Sequence, residues 1–267
     1  MRLSSLPKKM GGHPLSKNLD VEHPDSIAVH HTIIKSKPLL KSVYLEWYGE
    51  FMAAEYATRH LDAPTLEIGC GAGFLEEVIP GLIKTDVVQT PFVHRVMDAE
   101  KLDFPDVSLR AIFMIHTLHH IHFPANFFAE ALRCLKPGGR LVMVEPSNGF
   151  LLRFLAKWTD HFEYFDDKIE EWKNRSNERM IDANMAIPWV IFKRDRARFE
   201  REFAQLKILD IGYHTFLSYF ISGGIGYRSF LPGFCLPMVR FIETLAKPFG
   251  PKLATMMTID IEKRSAR

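Results

Sequence analysis

Three glycines at alternate positions, Gly69, Gly71 and Gly73, directly follow the apolar run Thr65-Leu66-Glu67-Ile68. Glycine takes positive φ without steric cost and lacks the Cβ that would hold a bound molecule off the backbone, so this spacing suits a loop wrapped round a nucleoside. A dinucleotide fingerprint reads G-x-G-x-x-G; here the third glycine comes one place early and Phe74 stands in its position, which disfavours NAD. Cys70, inside the loop, serves as a small residue. Two carboxylates could complete such a site: Asp86, near the end of the apolar run Leu82 to Val88 and suited to a ribose diol, and Asp98, followed by Ala99. Glu67 is read as facing the cofactor because the motif fixes its place relative to the loop.

A second group is His116, His119 and His120. The spacing H-x-x-H-H lacks the helical H-E-x-x-H frame and any nearby cysteine or carboxylate cluster, so no metal is assigned, and His119 and His120 are read as structural. A histidine near its free pKa is an economical base for a substrate hydroxyl. His116, His161 and Glu163 are therefore the candidates for proton removal, and the sequence assigns the role to none of them.

These residues need a scaffold that brings them to one edge. Thr65 to Ile68 reads as a strand, and Phe74 to Ile79, with Glu76 and Glu77 where the helix dipole favours acids, reads as a short helix stopped by Pro80-Gly81. Leu82 to Val88 and Ala111 to Ile115 read as further strands, and Pro137-Gly138-Gly139 as a turn between a helix and another apolar strand. Strands alternating with helices predict βαβ units and a parallel sheet with right-handed crossovers. Ligands on such sheets sit at the carboxyl ends of the strands, where Gly69 to Gly73, Asp86, Asp98 and His116 all fall.

Leu66-Glu67-Ile68-Gly69-Cys70-Gly71-Ala72-Gly73 resembles motif I of the class I S-adenosylmethionine-dependent methyltransferases, in particular those of type 11. Asp98-Ala99-Glu100-Lys101-Leu102-Asp103-Phe104-Pro105-Asp106 resembles the family's segment whose first acid meets the adenine amino group. Here Asp103 replaces a proline, and Arg110 stands where the family usually carries an aspartate. Ala111 to Ile121 resembles the fourth strand and its L-H-H end beside the methionine side of the cofactor, and Glu130 to Pro146 resembles the following helix, turn and fifth strand. The resemblance implies an α/β, Rossmann-like, doubly wound and mostly parallel seven-stranded sheet with helices on both faces. It also implies S-adenosyl-L-methionine as cofactor, bound by Glu67, Gly69, Cys70, Gly71, Gly73, Asp86, Asp98, Ala99 and His116. The N/D-P-P-Y box of members that methylate amines on nucleic acids is absent; His116-Thr117-Leu118-His119 stands there instead.

The remaining chain bounds this reading. With 267 residues, 47% of them apolar, it can bury one large core plus additions. Its 34 basic and 32 acidic residues nearly cancel, which gives no electrostatic footprint for nucleic acid. Cys70, Cys134 and Cys235 form no C-x-x-C pair, so neither a disulfide framework nor a zinc motif is expected. No apolar leader follows the basic N-terminus, which places the protein in the cytoplasm by default and leaves a membrane-peripheral contact open.

Residues 1–38 read as an N-terminal arm, 39–146 as the cofactor-binding core with leading helices, and 147–267 as substrate-side insertions with the last strands. Insertions fall after the fifth strand, where Phe150 to Trp158 is apolar, and between the last two strands, Lys207 to Gly212 and Ala254 to Glu262, with a helix near Met238 to Ala246. The uncharged run Thr215 to Tyr227 is shorter than the roughly 18 residues that suggest a spanning helix, and reads as core and lid packing. The function this predicts is methyl transfer by in-line displacement to a small or amphipathic organic acceptor, lipid- or glycan-linked acceptors included, with O-methylation favoured. A catalytically silent S-adenosylmethionine-binding regulatory protein is the alternative, and an NAD-dependent oxidoreductase, opposed by Phe74, the third.

Overall fold

The computed structural model describes residues 13–16, 25–158, 163–175 and 183–265. Seven strands form one sheet: β1 Thr65–Ile68, β2 Ile83–Asp86, β3 Arg95–Val96, β4 Leu109–Ile115, β5 Leu135–Pro146, β6 Leu206–His214 and β7 Met256–Lys263. Their order is β3-β2-β1-β4-β5-β7-β6. Strands β1 to β5 are mutually parallel, and β7 runs antiparallel between β5 and β6. The chain winds outward from β1 in one direction and from β4 in the other, so a crevice opens beyond the carboxyl ends of β1 and β4, the switch point where α/β sheets bind ligands.

Alternation along the central strands divides the core into two layers. Ile112 and Met114 of β4 and Leu141 and Met143 of β5 join one cluster; Ala111 and Phe113, with Val142 and Val144, join the other. Because side chains alternate across a strand, continuous apolar runs such as Ala111 to Ile115 mark strands buried on both faces. The first layer packs against Phe127, Phe128 and Ala131 of α3 (Pro124–Cys134) and against Ile187, Ile191, Phe192 and Phe199. The second is covered by α1 (Asp25–Ser36) and α2 (Pro38–Thr58), through Ile33, Ile34, Trp47, Tyr48 and Phe51, all fully buried. The doubly wound sheet with helices on both faces is thus the observed architecture.

Four local differences from the sequence reading have physical causes. The segment Phe74 to Ile79 forms only a 3-10 turn, Leu75–Glu77. Gly81, at φ +80°, turns the chain away almost at once, and α2 occupies the face an αβ helix would cover, with Tyr48 Oη accepting the Phe74 N–H at 2.8 Å. Part of the proposed arm is α1, held by burial of Ile33 and Ile34. The helix before Pro137 ends at Cys134, and Pro137 to Gly139 lie within β5 as an irregularity: Leu109 pairs with Leu135 but Ala111 with Arg140. Arg110, the departure from the family pattern, is a tether: its guanidinium meets Glu55 of α2 at 2.5 Å, while Glu55 also accepts the Thr65 hydroxyl at 2.9 Å.

After β5, α4 (Phe150–Trp158) and the turns and helices between Ile187 and Glu202 form the first insertion. The second, between β6 and β7, contains the helices Ser218–Ile221, Leu236–Ala246 and Gly250–Leu253. One carboxylate fastens it: Glu243 Oε1 accepts the N–H groups of Phe216, Leu217 and Ser218, each at 2.9 Å. Buried Lys37, just before α2, adds a second tie by donating to Gly224 O at 2.6 Å and Tyr227 O at 2.8 Å.

Candidate functional site

The glycine loop is shaped for close approach. Gly69 and Gly71 have φ of +66° and +45°. A Cβ on Gly69 would lie 2.6 Å from Thr117 Cγ2, so the loop is threaded tightly against the turn after β4. Gly73 is needed for a different reason: its φ is ordinary, and a Cβ there would meet Tyr48 Oη at 2.9 Å. Beside Gly71 the space is open, which leaves one flank of the loop accessible to a ligand.

Asp86 reaches the loop from the end of β2. Its Oδ2 accepts the Gly71 N–H at 3.0 Å and its Oδ1 the Val88 N–H at 3.2 Å, which orients the carboxylate along the crevice. Glu67 lies beneath the loop, 4% exposed, with Oε2 buried and without a hydrogen-bond partner. Burial raises its pKa to about 8, Asp86 and Glu76 add to the shift, and Lys84 partly offsets it. A buried carboxyl lacking a partner is a place for a cationic or hydrogen-donating ligand group. Cys70 is buried and its thiol pKa is pushed up by desolvation, consistent with a small filler.

The third rim is the segment after β3. Asp98 is exposed, with its Oδ1 accepting the Glu100 N–H at 2.9 Å, while Ala99 is buried. Arg133 of α3 holds this segment in place, donating to Leu102 O at 3.0 Å and Phe104 O at 2.7 Å. A cavity of about 490 Å³ opens beside Val96, Asp98 and Asp103. A second hollow, of about 430 Å³, lies by Glu55, Arg59 and Arg110, at the amino-terminal end of β4, and holds none of the predicted site residues. The crevice, with its converging polar groups, is the chemically equipped location.

The fourth rim follows β4. His116 has φ +50°, its N–H donates to Val144 O at 2.9 Å, and its ring lies 5.5 Å from Trp47 and 6.2 Å from Tyr219. Its Nε2 is buried without a hydrogen-bond partner. Burial lowers its pKa to about 4, with His119 adding to the shift, so it stands neutral and is a weaker base than its free value suggested. His119 is fully buried with Nδ1 2.6 Å from Glu145 Oε2; although burial opposes its charge, Glu145 raises its pKa to about 10. Glu163 lies 3.7 Å from His119 Nε2 and 3.6 Å from His120 Nε2. His161 falls outside the described residues.

Several residues of this site were not singled out from the sequence. Tyr44, Trp47 and Tyr48 of α2 stand at helical spacing, so one face of that helix lines the crevice, and Trp47 Nε1 donates to Thr215 Oγ1 at 2.9 Å. Tyr219 comes from the second insertion. Glu145 sits at the end of β5, the same edge as the loop after β4, which was the signal available for it. Glu163 was a candidate base in the sequence, but its place beside the histidines was not foreseen: it is the carboxylate missing from that group, remote in sequence and adjacent in space.

Residues 66–143 match the model of a methyltransferase domain. Demethylmenaquinone methyltransferase of Tropheryma whipplei (strain Twist) is 35% identical over 88 residues, covering 27% of this chain and 37% of that protein. The chain thus spans little more than a third of that relative's length. The enzyme of the same name from Renibacterium salmoninarum is 27% identical over 156 residues, covering 57% and 62%. Ubiquinone biosynthesis O-methyltransferase of Xanthomonas oryzae pv. oryzae (strain PXO99A) is 22% identical over 182 residues, covering 54% and 74%. Among solved structures, geranyl diphosphate C-methyltransferase from Streptomyces coelicolor A3(2) aligns over 95% of this chain and 90% of its own, at 16% identity and a TM-score of 0.46. Residues 66–143 thus match a methyltransferase domain set in a Rossmann-like sheet, and the cofactor that the resemblance implies for it is S-adenosyl-L-methionine. The positive-φ glycine loop, the Asp86 carboxylate beside it and the orphaned Glu67 oxygen fit that molecule.

Proposed function

We propose that this protein transfers a methyl group from S-adenosylmethionine to a small or amphipathic organic acceptor, with an acceptor oxygen favoured. The observation that carries this reading is the cluster of aromatic rings, Trp47, His116 and Tyr219, at the turn after β4 that meets the glycine loop, with Tyr44 lying 6.2 Å from Phe74 at the loop's end. When bound, the cofactor supplies a methyl group on a sulfonium with a good leaving group. What the chain contributes is alignment and exclusion of water. Gly69, Cys70, Gly71 and Gly73 form the cradle; Asp86 serves the ribose, Asp98 and Ala99 the adenine, and Glu67 and His116 the methionine end. Glu163, and His161, are the candidates for taking a proton from the acceptor.

The amphipathic character of the acceptor is supported by the exposed apolar side chains of the two insertions. Phe234, Phe241, Leu245 and Phe249 of the second insertion are 83%, 65%, 62% and 59% exposed, and Phe150 and Phe154 of α4 are also exposed. Lys247, Lys252 and Arg153 flank them. Apolar side chains edged by cations suit a peripheral contact with an anionic lipid surface. Among the described residues no helix is long and apolar enough to cross a membrane. The quinone-related names of the relatives point to the same chemical class.

S-adenosylhomocysteine is expected to raise the melting temperature, and NAD to leave it unchanged. Mass spectrometry of cell extract incubated with protein and methyl-labelled cofactor then reads the acceptor, with Gly71→Val as control. No stabilisation by S-adenosylhomocysteine, or labelling that persists in the control, rejects the reading.

A further inference from the structure

His119, His120 and Glu163 stand together where the turn after β4 meets the first insertion. Their ligand-type atoms all lie within 4.8 Å of one another. The separations of 3.7 Å from His119 Nε2 and 3.6 Å from His120 Nε2 to the Glu163 oxygens exceed the 2.7–3.2 Å range of a nitrogen–oxygen hydrogen bond. They are close to the roughly 3.4 Å expected between two donor atoms that each lie about 2.1 Å from one tetrahedral cation.

A second, independent observation points to a ligand. His119 is fully buried, and its Nε2 has no hydrogen-bond partner while facing this group. Its other ring nitrogen, Nδ1, is engaged by Glu145 at 2.6 Å, and Glu145 is itself fixed by the N–H groups of Thr117 at 2.8 Å and Leu118 at 2.7 Å. A carboxylate bonded to one imidazole nitrogen, so that the other points at a common centre, is the arrangement that orients a metal-bound histidine. Asn174, 2% exposed, secures the turn by donating to His119 O and Ile121 O, both at 2.8 Å.

We propose that His119 Nε2, His120 Nε2 and the Glu163 carboxylate bind one divalent first-row transition-metal ion of zinc type. Two imidazoles and one carboxylate favour such an ion over Mg²⁺ or Ca²⁺, which take oxygen donors. Three protein ligands leave a coordination position, as catalytic rather than structural zinc sites do. Resting on the methyl-transfer reading, that position serves the acceptor's oxygen: the His116 ring, packed 6.2 Å from Tyr219, lies 5.7 Å from the His119 ring. Metal binding itself does not depend on that reading.

The test uses the full chain, stripped with chelator and titrated with Co²⁺. One equivalent is expected to bind with the visible absorption of a four- or five-coordinate cobalt ion, and Zn²⁺ is expected to displace it. Glu163→Gln and His120→Ala, each altering a partly exposed partner, are expected to weaken cobalt affinity more than about tenfold. His94→Ala, remote from the group, is expected to leave it unchanged. Melting curves and S-adenosylhomocysteine binding report whether each variant folds. No saturable cobalt binding, or binding unaltered in both variants, overturns the proposal and makes the group a histidine–glutamate ion cluster. Wild-type protein that binds cobalt but not S-adenosylhomocysteine would leave the metal site standing and reject the methyl-transfer reading instead.

Discussion

His119 Nδ1 and Glu145 Oε2 lie 2.6 Å apart with both side chains fully buried, so one carboxylate joins the end of β5 to the turn after β4. Its second oxygen accepts the Thr117 and Leu118 N–H groups, and Thr117 in turn presses on Gly69. Glu145→Ala leaves a buried histidine and two N–H donors without their acceptor. The expected loss is about 3–5 kcal/mol of unfolding free energy, the range for removing one member of a buried pair. Urea denaturation with an unchanged m-value measures it. A loss under about 1 kcal/mol, an ordinary mutational effect, would show that the carboxylate does not organise the turn.

Gly69→Ala is predicted to disable cofactor binding through two separable effects. The new Cβ collides with Thr117, and the residue must keep a φ of +66° that non-glycine residues adopt at a cost of order 1–3 kcal/mol. Adding Thr117→Ala removes the Oγ1 and Cγ2 contacts but not the backbone strain. Calorimetric titration with S-adenosylhomocysteine is therefore expected to show affinity lost in the single variant and partly recovered in the double. Equal loss in both would mean that the collision contributes nothing.

Glu67 makes stability depend on pH in a defined direction. Its folded pKa of about 8 lies above the ordinary carboxyl value of 4.5, so the folded state holds the extra proton between these values. Stability contributed by the neutral carboxyl is present below 4.5 and is lost as pH rises towards 8, because the unfolded chain then binds fewer protons than the folded one. Glu67→Gln, neutral throughout, should gain on the wild type between pH 5 and pH 8 and hold that advantage above. Melting temperatures of both proteins across this range check the sign, and a gap that is constant with pH contradicts it.

What the sequence could reveal follows from how local each cause is. The glycine loop, Asp86 and the buried strands were legible because alternating glycines and doubly buried apolar runs are patterns within a few residues. The 3-10 turn at Leu75–Glu77 was not, since its cause is α2, a segment that precedes the loop and fills the face a helix would cover. Arg110 looked like a defect in a motif; only the position of Glu55 shows it to be a tether. For His119 and His120 the decisive partners, Glu145 and Glu163, arrive from a neighbouring strand and from the first insertion. No spacing rule within the histidine cluster contains them.

The helix Leu236–Ala246 gives the last prediction, because it buries only Val239 and Glu243 while Phe241 and Leu245 point outward. Glu243 fixes that orientation by binding three backbone N–H groups, so the apolar face cannot readily turn inward. Fully burying a side chain of this size is worth about 1.5–3 kcal/mol. Even half of that from each of two residues corresponds to about a tenfold or greater change in partitioning. Phe241→Ser with Leu245→Ser should therefore reduce co-sedimentation with phosphatidylglycerol vesicles by at least about tenfold. Folding stability should move by no more than about 0.5 kcal/mol per residue, as expected for surface sites. Added salt should weaken the wild-type protein's binding as well, through Lys247, Lys252 and Arg153. Wild-type protein that stays in the supernatant would show that this face has a different occupant.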